Sequence, residues 1–146
     1  LFAEGHLPEA SKRGGVMQQY MLKALEQLDK NPNGFFMMLE GSRIDMEAHL
    51  NKYDAMVEET LDFDRCVAIA LDFAKRKGNT LVVVTADHET GGLTLPAKGS
   101  KTQDKWTTLN HTGVPVPIYS FGPGAENFTR VMQNTDIFFE IYKLMK

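Results

Sequence analysis

The sequence predicts an α/β layered fold, with a mostly parallel central sheet flanked by helices. Three observations predict it. Short β-branched or continuous apolar runs alternate with long amphipathic segments, the pattern of strands buried between helices. Turn residues separate the two kinds of segment. The ionisable residues collect just after the strand-like runs, where open α/β sheets gather their ligand sites.

The elements follow in order. Gly5, Pro8, Gly14 and Gly15 make the opening irregular, and a helix is expected from about Val16 to Asp29, with Met17, Met21, Ala24, Leu25 and Leu28 on one side. Asn31-Pro32-Asn33-Gly34 supplies turn chemistry, and Phe35 to Leu39 reads as a short strand of a buried parallel sheet. A short segment ends at His49, and a long helix follows from about Tyr53 to Lys77. Its expected core stripe is Phe63, Val67, Ala70 and Ala74. Gly78-Asn79 is its stop signal.

Thr80 to Thr85 is the clearest strand, and Gly91 to Leu95 is a candidate for another. The polar stretch from Pro96 to Lys105 reads as a surface loop. Pro117 to Phe121 reads as a strand closed by Gly122-Pro123-Gly124, and Asn134-Thr135-Asp136 is expected to cap a terminal helix. No internal repeat, low-complexity tract or domain boundary stands out, so residues 1–146 are read as one unit.

Composition narrows the function classes. With 146 residues the chain has the length of one domain, able to bury roughly 70% of its unfolded surface. It is 42% hydrophobic and 24% charged, with a mean hydropathy of −0.29, as in ordinary globular domains. A net charge of −3 provides no basic face for nucleic acid. No run approaches the ~18 apolar residues of a membrane span. The single cysteine, Cys66, lies on an apolar helix face, which favours burial over reactivity. The opening Leu1-Phe2, without an initiator methionine, is read as the start of a fragment or processed product.

The chemistry gathers in three places. Asp45 and His49, four apart, share one helical face and can grip one cation; a carboxylate with an imidazole suits zinc, though such a spacing also occurs as a solvated pair. Asp87-His88 follows four strongly apolar residues, where ionisable groups need partners; an Asp helix cap beside an exposed His is the alternative. His111 alone would be a loop histidine, and Glu40 alone could be a surface partner of Arg43.

Taken together these residues resemble the alkaline phosphatase family. Glu40-Gly41-Ser42-Arg43-Ile44-Asp45-Met46-Glu47-Ala48-His49 is similar to its Glu-Gly-x-x-Ile-Asp-x-x-x-His motif. Val83 to Gly92, centred on Asp87-His88, resembles its second metal motif, and His111 to Tyr119 with Gly122 to Ala125 its third. Asn134-Thr135-Asp136-Ile137 resembles the usual opening of its last helix.

The resemblance implies a phosphate monoester hydrolase with two Zn²⁺ ions and one Mg²⁺. Asp45, His49 and His111 would hold the first zinc, Asp87 and His88 the second, and Glu40 the magnesium. The family's serine nucleophile and phosphate-binding arginine have no counterpart here, and Ser42 and Arg43 stand at positions the family does not use for catalysis. Met46 occupies a position where relatives often carry Lys or His. The interval from His88 to His111 is short, so any large insertion found there in some relatives is missing. The resemblance also implies a periplasmic or secreted location and self-association, as a homodimer or otherwise. Two other readings stay open: a non-catalytic zinc-binding unit, and a related metal-dependent phosphoglycerate mutase or sulfatase.

Overall fold

The computed structural model describes residues 5–95 and 106–145. The expected loop from Pro96 to Lys105 lies outside them, as do Leu1 and Phe2. The chain divides into two compact units, one of Leu1–Ile69 with Thr90–Thr112 and one of Ala70–Glu89 with Gly113–Lys146. Helix α4 (Tyr53–Lys77) runs through the boundary between them.

The first unit is built from helices α1 (Ala10–Arg13), α2 (Val16–Leu28) and α3 (Ser42–His49), together with the leading part of α4. Helix α2 forms where the apolar spacing predicts it, and Met17, Met21 and Leu25 are its buried residues. The Asn31 side chain accepts the Asn33 N–H at 3.1 Å, so the turn after the helix is made by local asparagine chemistry.

Helix α4 keeps the expected stripe at Ala74, which is 2% exposed, but departs from it by one position earlier in the helix. Glu59, Asp62 and Cys66 are buried, whereas Phe63 and Val67 are only half-buried. The cause is Arg13, the last residue of α1, whose side chain is 3% exposed. Its guanidinium pairs with Glu59 at 2.6 Å and Asp62 at 2.7 Å. Gln18 donates to the Asp62 carboxylate at 2.8 Å, and Arg43 on α3 reaches Glu47 at 2.8 Å and Glu59 at 3.3 Å. Buried charge persists only when paired in this way. Burial raises the Asp62 pKa, but hydrogen bonds from Gln18 and Arg13 outweigh it and hold the carboxyl below its usual value. Cys66 is fully buried, and burial, aided by the Asp62 charge, pushes its thiol up, in keeping with an inert core residue.

Phe35 to Leu39 corrects the sequence reading. The segment belongs to neither sheet among the described residues, and exposure alternates along it, with Phe36 58% and Met38 77% exposed. An apolar run alone cannot distinguish a strand buried on both faces from one with an open face.

The second unit holds β1 (Val82–Thr85) and β4 (Ile118–Phe121), the cores of the two strands expected. They pair antiparallel, from Val82 with Phe121 to Thr85 with Ile118. A parallel pair would need a crossover connection, usually a helix, and the described part of residues 86–117 contains only turns and two-residue strands. The parallel sheet expected from sequence is therefore not formed among the described residues. Phe128, in a 3-10 turn (Ala125–Phe128), is 2% exposed. Helix α5 (Asn134–Leu144) starts one residue earlier than expected at its cap: Asp136 accepts the Gln133 N–H at 3.1 Å, so Gln133, not Asn134, is the capping position.

Two short strands, β2 (Glu89–Thr90) and β3 (His111–Thr112), pair with each other. The strand expected at Gly91 to Leu95 is instead a turn. Gly91 has φ 89°, in the region that favours glycine, and a side chain there would overlap the Trp106 ring, with a Cβ 2.5 Å from its Cε3. The turn brings β2 back against the segment leading to His111. No described helix is long and apolar enough to cross a membrane.

Candidate metal centre

Helix α3 supplies two of the site's side chains. Asp45 and His49 are one turn apart, so the helix stacks them. Strand β3 supplies His111 from 62 residues further along the chain. His49 Nε2 lies 3.4 Å from Asp45 Oδ1 and 3.1 Å from His111 Nε2, and His111 Nε2 lies 3.6 Å from the same Asp45 oxygen. A tetrahedral site with ligand bonds of about 2.0–2.1 Å has edges of about 3.3 Å. The three donor atoms therefore already stand at the corners of one face of such a site.

The hydrogen bonds around them set their roles. His49 Nδ1 lies 2.5 Å from the Leu109 carbonyl, which only accepts, so Nδ1 carries a proton and Nε2 is the ring nitrogen turned toward Asp45 and His111. Thr90 donates its hydroxyl to Asp45 Oδ1 at 2.5 Å, fixing the carboxylate. Side chains are 39% exposed at Asp45, 35% at His49 and 48% at His111, which leaves room for an ion and a further ligand. Two imidazoles and one carboxylate fit zinc, with a partner orienting both Asp45 and His49.

The other residues singled out by sequence are placed differently. Asp87 and His88 stand together after β1, His88 Nε2 3.2 Å from Asp87 Oδ2, with Asp87 86% exposed. Among the described residues they join no group of three donors. Glu40 is exposed at the foot of α3, and no ion pair reaches it among the described residues. Arg43, weighed as its partner, is committed to Glu47 and Glu59 instead. Thr90, the Leu109 carbonyl and Asn51 were not singled out by sequence. Their contacts span up to 60 residues, and only Thr90 sat inside a recognised motif.

A chain of helices and small sheets that converges a carboxylate and two imidazoles on one point belongs, as a class, among candidate metalloproteins. Comparison narrows the class. Residues 1–105 match the alkaline phosphatase family, and the chain belongs to that family. It is 29% identical to alkaline phosphatase 4 of Bacillus subtilis, in an alignment covering all of this chain and 48% of that protein. That alignment runs over 219 positions, so the relative carries segments with no counterpart here. Identity to the alkaline phosphatase of Escherichia coli is 32%, over 90% of this chain and 32% of that one. A variant of TAB5 alkaline phosphatase, described with Mg bound in its M3 site, superposes with a TM-score of 0.92 at 37% identity, over 99% of this chain and 46% of that structure. This chain thus shares the alkaline phosphatase fold and spans about half the length, or less, of these relatives. The family match sets aside the mutase and sulfatase readings.

Proposed function

We propose that this chain supplies the metal-ligand portion of an enzyme that hydrolyses phosphate monoesters. Asp45, His49 and His111 hold one zinc ion, Asp87 and His88 contribute to a second, and Glu40 contributes to a magnesium site. The observation that carries the reading is the face of three donor atoms that Asp45, His49 and His111 turn toward one point. Bound divalent ions supply Lewis-acid stabilisation for the charge that develops on phosphoryl oxygens during in-line displacement. The chain's own residues orient that chemistry: Thr90 fixes the Asp45 carboxylate and the Leu109 carbonyl fixes the His49 ring. Glu40 brings a hard carboxylate oxygen, as magnesium prefers.

No residue here is assigned as nucleophile or phosphate clamp. Arg43 is held by carboxylates, which supports leaving it out of substrate binding. In this reading residues 1–146 form a portion of a larger catalytic domain. A periplasmic or secreted location and self-association accompany the reading by resemblance to the family.

The test is turnover of a chromogenic phosphate monoester by the full-length protein with zinc and magnesium. Activity should vanish on chelation and return with the metals, and Asp87→Ala should lower it at least a hundredfold. No turnover, or turnover unchanged in Asp87→Ala, overturns the proposal. A second reading, a zinc-binding unit without activity of its own, is favoured for the separate chain because Asp87 and His88 make a pair where the first site has three donors. Metal analysis finding one tightly held zinc and no esterase activity supports it; two equally tight zinc ions count against it.

A further inference from the structure

Asn51 lies just beyond α3, two residues after His49, and among the described residues it is the one non-glycine with a left-handed backbone, at φ 53°. Asparagine tolerates that conformation, and by itself it would be an ordinary helix terminator. Its side chain does more. The amide nitrogen lies 3.1 Å from the Ala48 carbonyl and 3.0 Å from the Thr108 carbonyl, in the orientation where nitrogen faces both. The opposite orientation would set an amide oxygen against two acceptors, so the hydrogen-bond network decides the assignment.

These two carbonyls belong to the two segments that build the metal centre. Ala48 precedes His49 on α3. Thr108 precedes Leu109, whose carbonyl accepts the His49 Nδ1–H, and lies three residues before His111. Within this first unit, Asn51 therefore bridges the end of α3 to the 108–111 segment beside the contact that fixes the His49 ring. Further backbone bonds, from Asn51 N–H to Ala48 O at 2.9 Å and from Lys52 N–H to Glu47 O at 3.0 Å, hold the turn from which it reaches.

We infer that Asn51 is a positioning residue: its amide clamps the end of α3 to the 108–111 segment and so keeps His49 Nε2 aimed at Asp45 and His111. The zinc part of this rests on the ligand assignment proposed above, whereas the orientation of His49 does not. No atom of Asn51 need touch the metal. Without the clamp the Leu109 carbonyl and the His49 ring lose their shared register, and the ring is released to either neutral tautomer.

The experiment uses Asn51→Gly, which keeps the left-handed backbone and removes the amide, and Asn51→Asp, which keeps size and replaces the donor with an acceptor. In metal-free protein at pH 8, long-range proton–nitrogen spectra of ¹⁵N-histidine-labelled samples report the His49 tautomer. The parent should show Nδ1–H alone, and both variants a mixture with Nε2–H. Zinc affinity, by competition with a chromogenic chelator, should fall about tenfold or more, the usual effect of removing a group that orients a ligand. An unchanged tautomer in a variant that folds, or affinity within twofold of the parent, overturns the inference. Lower metal-free stability with the parent tautomer retained would assign Asn51 to the fold alone and overturns it too. If His49→Ala leaves zinc binding unchanged, the ligand assignment fails, and the clamp is judged by the tautomer.

Discussion

Replacing Arg13 with methionine should be among the most damaging single changes outside the metal centre. Its guanidinium pairs with Glu59 and Asp62 at 2.6 and 2.7 Å, and all three side chains are 3–4% exposed. Arg13→Met keeps much of the side-chain stem and removes only the charge and its donors. Glu59 keeps Arg43 at 3.3 Å and Asp62 keeps Gln18 at 2.8 Å, so the loss is partial. Removing one partner of a buried pair costs about 3–5 kcal/mol, because the carboxylates left behind stay out of water. That is a large share of the roughly 5–15 kcal/mol that holds a domain together. With a urea m-value of about 1–3 kcal/mol/M, the unfolding midpoint should drop by more than ~1 M. Adding Glu59→Gln and Asp62→Asn to Arg13→Met should recover part of the loss, since no unpaired charge then remains. A midpoint within ~0.3 M of the parent for Arg13→Met, or a triple variant less stable than the single, would refute the reasoning.

Three further outcomes follow from the same structure. Asp62 has a lowered folded pKa, so its contribution should be complete above the unfolded-chain carboxylate value of about 3.9 and fade as pH falls below that; urea unfolding of the parent and Asp62→Asn from pH 3 to 7 should show their stability gap closing only at the acid end. Thr90→Val removes the hydroxyl that donates to Asp45 Oδ1 while keeping its shape, and zinc affinity should fall about tenfold, checked by chelator competition. Gly91→Ala must enter a left-handed turn and displace the Trp106 ring, and should cost about 2–4 kcal/mol in denaturant unfolding.

The pairing of Asp45 with His49 was legible in the sequence because of its short, fixed spacing, whereas His111, 62 residues further on, was joined to them only by the family resemblance. Asp45 and His49 share a helical face whatever the rest of the chain does, and Asp87-His88 follows a β-branched run that had to be a strand. The stretches that failed were those whose fate depends on distant partners. Phe35 to Leu39 was read as a buried strand of a parallel sheet, yet its exposure alternates and its ladder partner is not among the described residues. The buried face of α4 was placed on Phe63 and Val67, because nothing local announces that Arg13 will draw Glu59 and Asp62 inward. Asn51 and the Leu109 carbonyl escaped for the same reason: each acts through a segment nearly 60 residues away.

The central question is whether Asp45, His49 and His111 hold a zinc ion. X-ray absorption at the zinc edge, on protein carrying one equivalent of zinc, tests this directly. A first shell at about 2.0–2.1 Å containing two imidazoles is expected. The outer-shell imidazole signal should shrink by about half in His111→Ala. A shell of oxygen alone, or a spectrum unchanged in both His49→Ala and His111→Ala, would contradict it.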